Sequence, residues 1–379
     1  MRLIINTSVL RFGGGVQVAL SFIYECINFP EHEYHVFLGT GVAKSLKKKD
    51  FPSNFFFYDL FFGPVSIWKT RKIAKTLGKL AEEIIPDGVI TTSGPSYWHS
   101  PCPHLMGFNI PLYIYPESPY FQTQFFNLKR KIRFFLKRIF HVYFIKRDAT
   151  AFVTQTDDVN ARTRKLFGTD QVYTVTNTHN GFYSNWKKYP DKLPPKSNGE
   201  VRLLTISAWY PHKNLEIIAP MLDILEQQGF ENIRFVLTLN PEKFARVFTP
   251  KYHTRIYNIG PINPEECPSL YAECDILFLP TLAECFSAAY PEAMIMQKPI
   301  LTTDLGFARS ICDDAALYYQ PMNATDAVEK LTTLLENTSL QTALVKKGLA
   351  QLEKLDSPAE RARKYLVLCE QLITIQAKK

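Results

Sequence analysis

The sequence predicts an α/β protein of two doubly wound domains, each a parallel sheet covered by helices on both faces. Three observations predict it. Short apolar runs alternate with amphipathic stretches through the first half, a pattern that builds parallel sheets. Proline and lysine then crowd Lys187–Gly199, a composition suited to a linker. After that break the same alternation starts again. A chain of 379 residues suits two such domains better than one core, and 46% apolar with 21% charged residues is globular composition.

In chain order, the expected strands of the first half are Arg2–Val9, Tyr34–Leu38, Phe55–Tyr58, Gly88–Thr91, Leu105–Phe108, Thr150–Thr154 and Val172–Val175. Helical patterns fill Val16–Asn28, Ile67–Ile85 and Asp157–Phe167 between them. In the second half, strands are expected at Val201–Ile206, Ile233–Leu237, Asp275–Leu279 and Pro299–Thr303, with helices at Lys213–Gln228 and Cys285–Met296. Three helical patterns close the chain. The expected domains are therefore 1–186, a linker 187–200, 201–357, and a final helix at 358–379 packing back on the first domain. Ligands of such sheets bind beyond the carboxyl ends of the strands, so the cleft between the domains is the expected site.

Composition narrows the function. Seven scattered cysteines with no Cys-x-x-Cys pair argue against a disulfide scaffold and a zinc site, and suit a reducing cytoplasm. The sequence has no uncharged apolar run of about 20 residues and no signal-peptide pattern at Met1–Asn6. No Asp-x-Asp motif or metal-ligand cluster occurs, so no metal and no cofactor are expected. The net charge of +8 leaves nucleic acid, an anionic membrane or an anionic substrate as partners.

The sharpest chemical signal is Pro280-Thr-Leu-Ala-Glu284-Cys-Phe-Ser-Ala-Ala-Tyr-Pro-Glu292. A strand ends at Pro280 and a helix follows Glu284, so two carboxylates eight apart bracket a helix start. Free amides there suit a phosphate, and a carboxylate beside them accepts from sugar hydroxyls. By itself, a Glu-x7-Glu spacing is more often two ordinary glutamates.

The surrounding residues change that weighting. The segment resembles the Glu-x7-Glu signature of family 4 of the retaining glycosyltransferases, which have the GT-B fold of two Rossmann-like domains. The likeness extends over Ile206–Leu215, with its Lys213-Asn214 element, over Asn258–Ile262 and Leu270–Asp275, and on to Pro299–Gly306. It spans about 110 residues in the family's order, and points to the bacterial surface-polysaccharide type. The resemblance implies that Glu292 holds the ribose, Glu284 meets the donor sugar, and the amides of Phe286 and Ser287 face the diphosphate or sugar. It implies that Lys213 neutralises the departing diphosphate, with Asn214 and Ile262 also at the nucleotide sugar. One departure stands out. The arginine that usually precedes the lysine is absent from Ser207–Tyr210, and Cys285 and Ser287 stand where glycines are common.

In the first domain, the glycine turn Gly13-Gly14-Gly15 follows the first strand, where the family places a loop near the donor diphosphate. The family's sugar-contacting histidine has two candidate counterparts here, Asn109 just after a strand and His99. The aromatic stretch Tyr113–Phe121 suits sugar stacking or plain packing, and Glu117 within it is a candidate for the acceptor.

The resemblance thus implies a metal-independent, retaining glycosyltransferase, with a nucleoside diphosphate sugar as co-substrate and a lipid-linked or polysaccharide acceptor. The rivals are a catalytically weakened sugar-nucleotide-binding subunit and a sugar-nucleotide epimerase on the same fold. Finally, residues 129–147 hold eight Lys or Arg and no acid. Helical spacing puts Ile132, Phe135, Leu136, Ile139 and Tyr143 on one face, and Arg130, Arg133, Lys137 and His141 on another. This predicts an anionic membrane surface as partner and a peripheral site on the cytoplasmic face of the membrane, rather than nucleic acid.

Overall fold

A computed structural model describes residues 1–378. The chain divides into two compact units. Unit 1 holds Met1–Ile114, Asn127–Asn177 and the stretch from Asp356 on, and unit 2 holds Tyr115–Phe126 and Thr178–Leu355.

Unit 1 is built on seven parallel strands: β1 Arg2–Asn6, β2 Glu33–Leu38, β3 Phe55–Asp59, β4 Gly88–Thr91, β5 His104–Gly107, β6 Ala151–Thr154 and β7 Val172–Thr174. Their order is β3-β2-β1-β4-β5-β6-β7, so the chain reverses its direction of travel between β1 and β4. The strands are near-continuous apolar runs because both faces are covered. Alternation sorts them: Leu3 and Ile5 join one core, Ile4 the other. The first core is closed by the helices Gly14–Glu25 and Pro358–Ala377, through Phe22, Ile23, Tyr365, Leu366 and Cys369. The second is closed by the helix Ile67–Ile84, with Ile73 and Leu77, and by Tyr97, Trp98 and Phe144.

The final helix starts where the sequence says it should. Ser357 caps it by accepting from the Glu360 amide at 3.1 Å, and Pro358 occupies the first turn. Its Arg361, almost wholly buried, donates to Ser21 Oγ at 2.7 Å and to Asn177. That binds the returning chain to unit 1.

Unit 2 has six parallel strands: β8 Val201–Thr205, β9 Ile233–Leu237, β10 Ile256–Asn258, β11 Ile276–Leu279, β12 Ile300–Thr303 and β13 Leu317–Tyr319. The order β10-β9-β8-β11-β12-β13 places its reversal between β8 and β11. Ligands of such sheets gather at these reversals.

Several details differ from the sequence reading. The strands β10 and β13, three residues each, were not expected. The helix expected from Lys213 begins at Ile218, after two short 3-10 turns at Pro211–Lys213 and Leu215–Ile217. Asn214 between them sits in the left-handed region, φ 51°, which a right-handed helix cannot continue through. The helix expected from Cys285 runs only over Ala289–Ile295. Residues 115–126 and 178–186, expected in the first domain, belong to unit 2. The proline-rich stretch 187–200 is tied down along unit 2. Tyr189 N donates to Ser269 Oγ at 2.8 Å, Lys192 pairs with Glu266 at 2.5 Å, and Lys196 pairs with Asp275 at 2.6 Å. Its prolines supply no N–H for a strand, while its lysines find acids.

Candidate functional site

The reversal in unit 2 brings two loops together. After β8 the chain makes the turn Pro211–Lys213, and after β11 it makes the loop Pro280–Ala288. The second loop is held to the first by backbone: the Leu282 amide donates to the His212 carbonyl at 2.7 Å. Thr281 Oγ1 lies 3.3 Å from that carbonyl and 3.1 Å from Glu284 Oε1. Thr303 Oγ1 donates to the Thr281 carbonyl at 2.7 Å and ties the loop to β12.

This frame sets Lys213 Nζ against Glu284 Oε1 as an ion pair. The two side chains are only 15% and 12% exposed. The pair has left most of its water behind, so each charge depends on the other. His212 stacks on Tyr210, ring centres 5.6 Å apart, and meets Tyr120 edge-on. Burial pushes its imidazole down to about 4, and it is neutral near pH 7. Following Glu284, the amides of Phe286 and Ser287 donate to no acceptor among the described residues. They are ready donors for an anion or a sugar oxygen.

Glu292 lies on the helix Ala289–Ile295, in different company. The Tyr271 hydroxyl donates to its Oε2 at 3.3 Å. Tyr183 also lies against it, with a buried hydroxyl that makes no hydrogen bond of ordinary geometry among the described residues. It forms no ion pair among the described residues, and burial pushes the carboxyl up to about 7. Asn214, in its left-handed turn, keeps a buried Nδ2 without a partner. Ile262 is half-buried in the loop after β10.

The segment Tyr115–Phe126 lies on the same part of unit 2. Ser118 Oγ donates to the Leu282 carbonyl at 2.7 Å, Tyr115 meets Phe307, and Phe125 meets Trp209. Glu117, exposed, therefore stands one residue from an anchor on the Glu284 loop. At the position of the missing arginine, Trp209 Nε1 donates to Glu216 at 2.9 Å and Lys243 Nζ lies 5.4 Å from the indole centre.

In unit 1, the loops after β1, β4 and β5 meet at Ser93. Gly13 has φ 85° and caps the helix Gly14–Glu25; a Cβ on Gly15 would come within 3.1 Å of Ser93 Oγ, while one on Gly14 would meet open space. Ser93 Oγ accepts from Asn109 Nδ2 at 2.7 Å. Strand direction separates the two candidates for the sugar contact. Asn109 follows β5, at the carboxyl ends. His99 precedes β5 and is held by the Arg147 carbonyl at 2.9 Å, at the amino ends where β6 is about to start. His104 is inside β5, bonded to Thr91 Oγ1 at 2.7 Å and pushed down to about 3 by burial.

The basic segment is the helix Leu128–Asp148, capped by Asn127, which accepts from the Arg130 amide at 3.1 Å. Its apolar stripe faces outward. Leu128, Ile132, Phe135, Leu136, Ile139 and Tyr143 are each more than half exposed, and Phe144, Ile145 and Asp148 are what it buries. His141 departs from expectation. It turns inward to the hydroxyls of Tyr97 and Tyr113, at 3.2 and 3.0 Å, and burial pushes it down to about 4, so it adds no charge to the basic face near pH 7.

Sequence reasoning missed Ser93, Thr281, His212, Tyr183 and Tyr271 as partners of the site. Ser93 and Thr281 each stand two residues past a strand end, and the rule placing ligands beyond carboxyl ends is a signal for both. Nothing local marks Tyr183, which reaches Glu292 across about a hundred residues of chain. Among the described residues no group of three His, Cys, Asp or Glu is placed to hold a metal, and no helix is long and apolar enough to cross a membrane.

Comparison with known proteins follows this geometry. Residues 190–351, less than half of the chain but nearly all of the second sheet's domain, match the family model described as "Glycosyl transferases group 1". No curated protein sequence matches the chain. Sucrose-phosphate synthase from Thermosynechococcus elongatus superposes with a TM-score of 0.75 at 12% identity, covering 99% of each chain. WaaG, a glycosyltransferase involved in lipopolysaccharide biosynthesis, superposes at 0.72 and 15%, covering 97% of this chain and 99% of that one. The Anabaena protein HepE, in complex with UDP and glucose, superposes at 0.69 and 13%, covering 96% and 98%. The fold is GT-B; residues 190–351 are similar to the group 1 glycosyltransferases, and the chain is a transferase enzyme.

Proposed function

We propose that the protein transfers a glycosyl group from a nucleoside diphosphate sugar to a lipid-linked or polysaccharide acceptor, with retention at the anomeric carbon and without a metal. The observation that carries this reading is the buried Lys213–Glu284 pair beside the unpaired amides of Phe286 and Ser287. A fixed cation, a carboxylate and free amides meet the needs of a departing diphosphate joined to a sugar. The bond from the anomeric carbon to the phosphate oxygen breaks, and the electron pair leaves with the diphosphate. Lys213 and the two amides stabilise the charge that builds on its oxygens. The acceptor hydroxyl oxygen forms the new bond and its proton passes to a leaving phosphate oxygen. Glu284 accepts from sugar hydroxyls, and Glu292 accepts from the ribose. Asn214 and Ile262 line the nucleotide sugar, Glu117 serves the acceptor, and Gly13, Gly14, Gly15 and Asn109 are the candidate binding residues of unit 1. The Anabaena neighbour with UDP and glucose bound supports a nucleotide-sugar donor.

The outward apolar stripe of the helix Leu128–Asp148 supports the remaining part of the reading, a peripheral contact with anionic lipid on the cytoplasmic face of the membrane. Six apolar side chains held in water are unfavourable unless something covers them, and the flanking Lys and Arg fit anionic headgroups.

A panel of nucleoside diphosphate sugars tests the catalytic reading. One donor should be hydrolysed slowly without acceptor, and the hydrolysis should persist in a chelator. Tight binding of a donor with no turnover under any acceptor would favour a binding subunit, and interconversion of donor sugars an epimerase.

A further inference from the structure

We propose that unit 1 meets the membrane through a second element, the N-terminal half of the helix Ile67–Ile84, with Trp68 as its interfacial anchor. The inference rests on the reading of Leu128–Asp148 as a lipid contact and extends it. Trp68 is 83% exposed, the most exposed of the large apolar side chains among the described residues; Ile67 next to it is 62% exposed, and Phe61, seven residues earlier, 64%. The helix buries Thr70, Ile73, Leu77, Ala81 and Ile84. At 100° per residue, Trp68, Lys72, Lys75 and Lys79 fall on the opposite side. From Ile67 to Ala81 the helix carries Lys69, Arg71, Lys72, Lys75 and Lys79 and no acid; Glu82 and Glu83 come only at its far end, where Glu83 sits 3.9 Å from Lys79. An indole at the head of a cationic face is the composition of an interfacial helix, since the ring is apolar with one polar edge and the ammonium groups meet anionic headgroups.

Topology puts this element beside the first. Both helices return from a carboxyl end of the sheet to an amino end, so they run the same way and their N-termini share one end of unit 1. Both close the same core, through Ile73 and Leu77 of one and Phe144 of the other. Arg147 lines a shallow cavity with Ala74 and Gly78, so these parts of the two helices lie near each other. Counting back at equal rise, roughly eight residues, brings Trp68 near the level of Ile139 in the exposed stripe. The two basic faces then form one surface, and that surface fits an anionic bilayer.

The test uses the full chain and vesicles of phosphatidylcholine, with or without phosphatidylglycerol, some carrying bromine on the acyl chains. Tryptophan emission should be quenched by brominated anionic vesicles and not by neutral ones. Trp68→Tyr should still sediment with anionic vesicles but lose most of the quenching, because Trp98 is buried in the core and the other two tryptophans, Trp186 and Trp209, belong to unit 2 and not to the proposed face. Lys72→Ser with Lys75→Ser and Lys79→Ser should weaken partitioning on the order of a hundredfold. Quenching unchanged in Trp68→Tyr, or partitioning unchanged in the triple lysine variant, overturns the proposal. A separate variant, Ile132→Ser with Phe135→Ser and Leu136→Ser, reports on the first helix alone. If it partitions like the parent, the lipid reading of Leu128–Asp148 fails by itself, and the Trp68 result still stands or falls on its own quenching.

Discussion

Glu284 and Glu292 stand eight residues apart on one loop and one short helix, yet the structure gives them opposite surroundings. Glu284 is joined to Lys213 and accepts from Thr281. Glu292 has a tyrosine hydroxyl at 3.3 Å, a second tyrosine nearby, and no ion-pair partner among the described residues. A carboxylate held by a cation belongs to a pair that can share a developing negative charge, with the cation turned to the phosphate and the carboxylate to the sugar. A carboxylate among tyrosines has only hydrogen-bond donors to satisfy it, and in water-poor surroundings it welcomes more of them, such as ribose hydroxyls. Spacing makes the two glutamates look equivalent; their partners differ, and the proposed function reads one as a reaction residue and the other as a grip.

The largest effect should come from breaking the first half of that contrast. Lys213→Ala should reduce turnover by on the order of 10²–10³, the scale for removing a transition-state donor. It should also lower stability, because Glu284 is left buried without its partner, and breaking such pairs costs about 3–5 kcal/mol. These two losses are separable. Lys213→Met with Glu284→Gln replaces the pair by neutral groups of similar size and should regain most of the melting temperature without regaining activity. If the double variant recovers turnover along with stability, the ion pair is a structural strut and its catalytic role is wrong.

The next effect sharpens the second half. Glu292→Ala should weaken binding of the bare nucleoside diphosphate by about 1.5–3 kcal/mol, the worth of hydrogen bonds to a charged group. Glu284→Ala should leave that binding within a few fold and lower transfer instead. Calorimetry on both variants, with the diphosphate of whichever sugar donor the panel identifies, measures the difference. Equal losses of nucleotide affinity in the two would erase the distinction between grip and reaction residue.

How much of this was legible beforehand follows the range of the interactions. The two alternating halves, the motif between Pro280 and Glu292, and the final helix with Ser357 and Pro358 at its start are written in neighbouring residues, and local patterns carry them. The strands β10 and β13 are too short for alternation to show, and neighbouring strands complete them. The turn at Asn214 was hidden because an asparagine in the left-handed region looks like any helix residue in the sequence. Helical spacing found the stripe from Ile132 to Tyr143, but periodicity does not say whether a face covers a core or meets solvent; the answer depends on Tyr97 and Phe144 already filling the space beneath. His141 shows the same limit, since two distant tyrosine hydroxyls draw it inward. Tyr183 and Tyr271, which set the chemistry of Glu292, lie far from it in sequence and could only be found in three dimensions.

The smallest effect is a pH dependence peculiar to Glu292. Its carboxyl is pushed up to about 7 by burial, against about 4.3 in an unfolded chain. The folded state therefore holds this proton over a range where the unfolded state has released it. The stability that follows is fully present below the unfolded value and is lost as pH rises through 7. Nucleotide binding has the opposite sign, because ribose hydroxyls donate to the carboxylate and not to the acid. Affinity should rise as pH climbs through 7, and binding below 7 should release a proton, seen as buffer-dependent heat. Glu292→Gln cannot ionise. Relative to the parent it should melt higher at about pH 8 than it does at about pH 5, and its nucleotide affinity should be flat over that window. A parent and a Glu292→Gln variant with parallel pH profiles in both melting and affinity would mean that Glu292 does not titrate there, and the contrast with Glu284 would then rest on geometry alone.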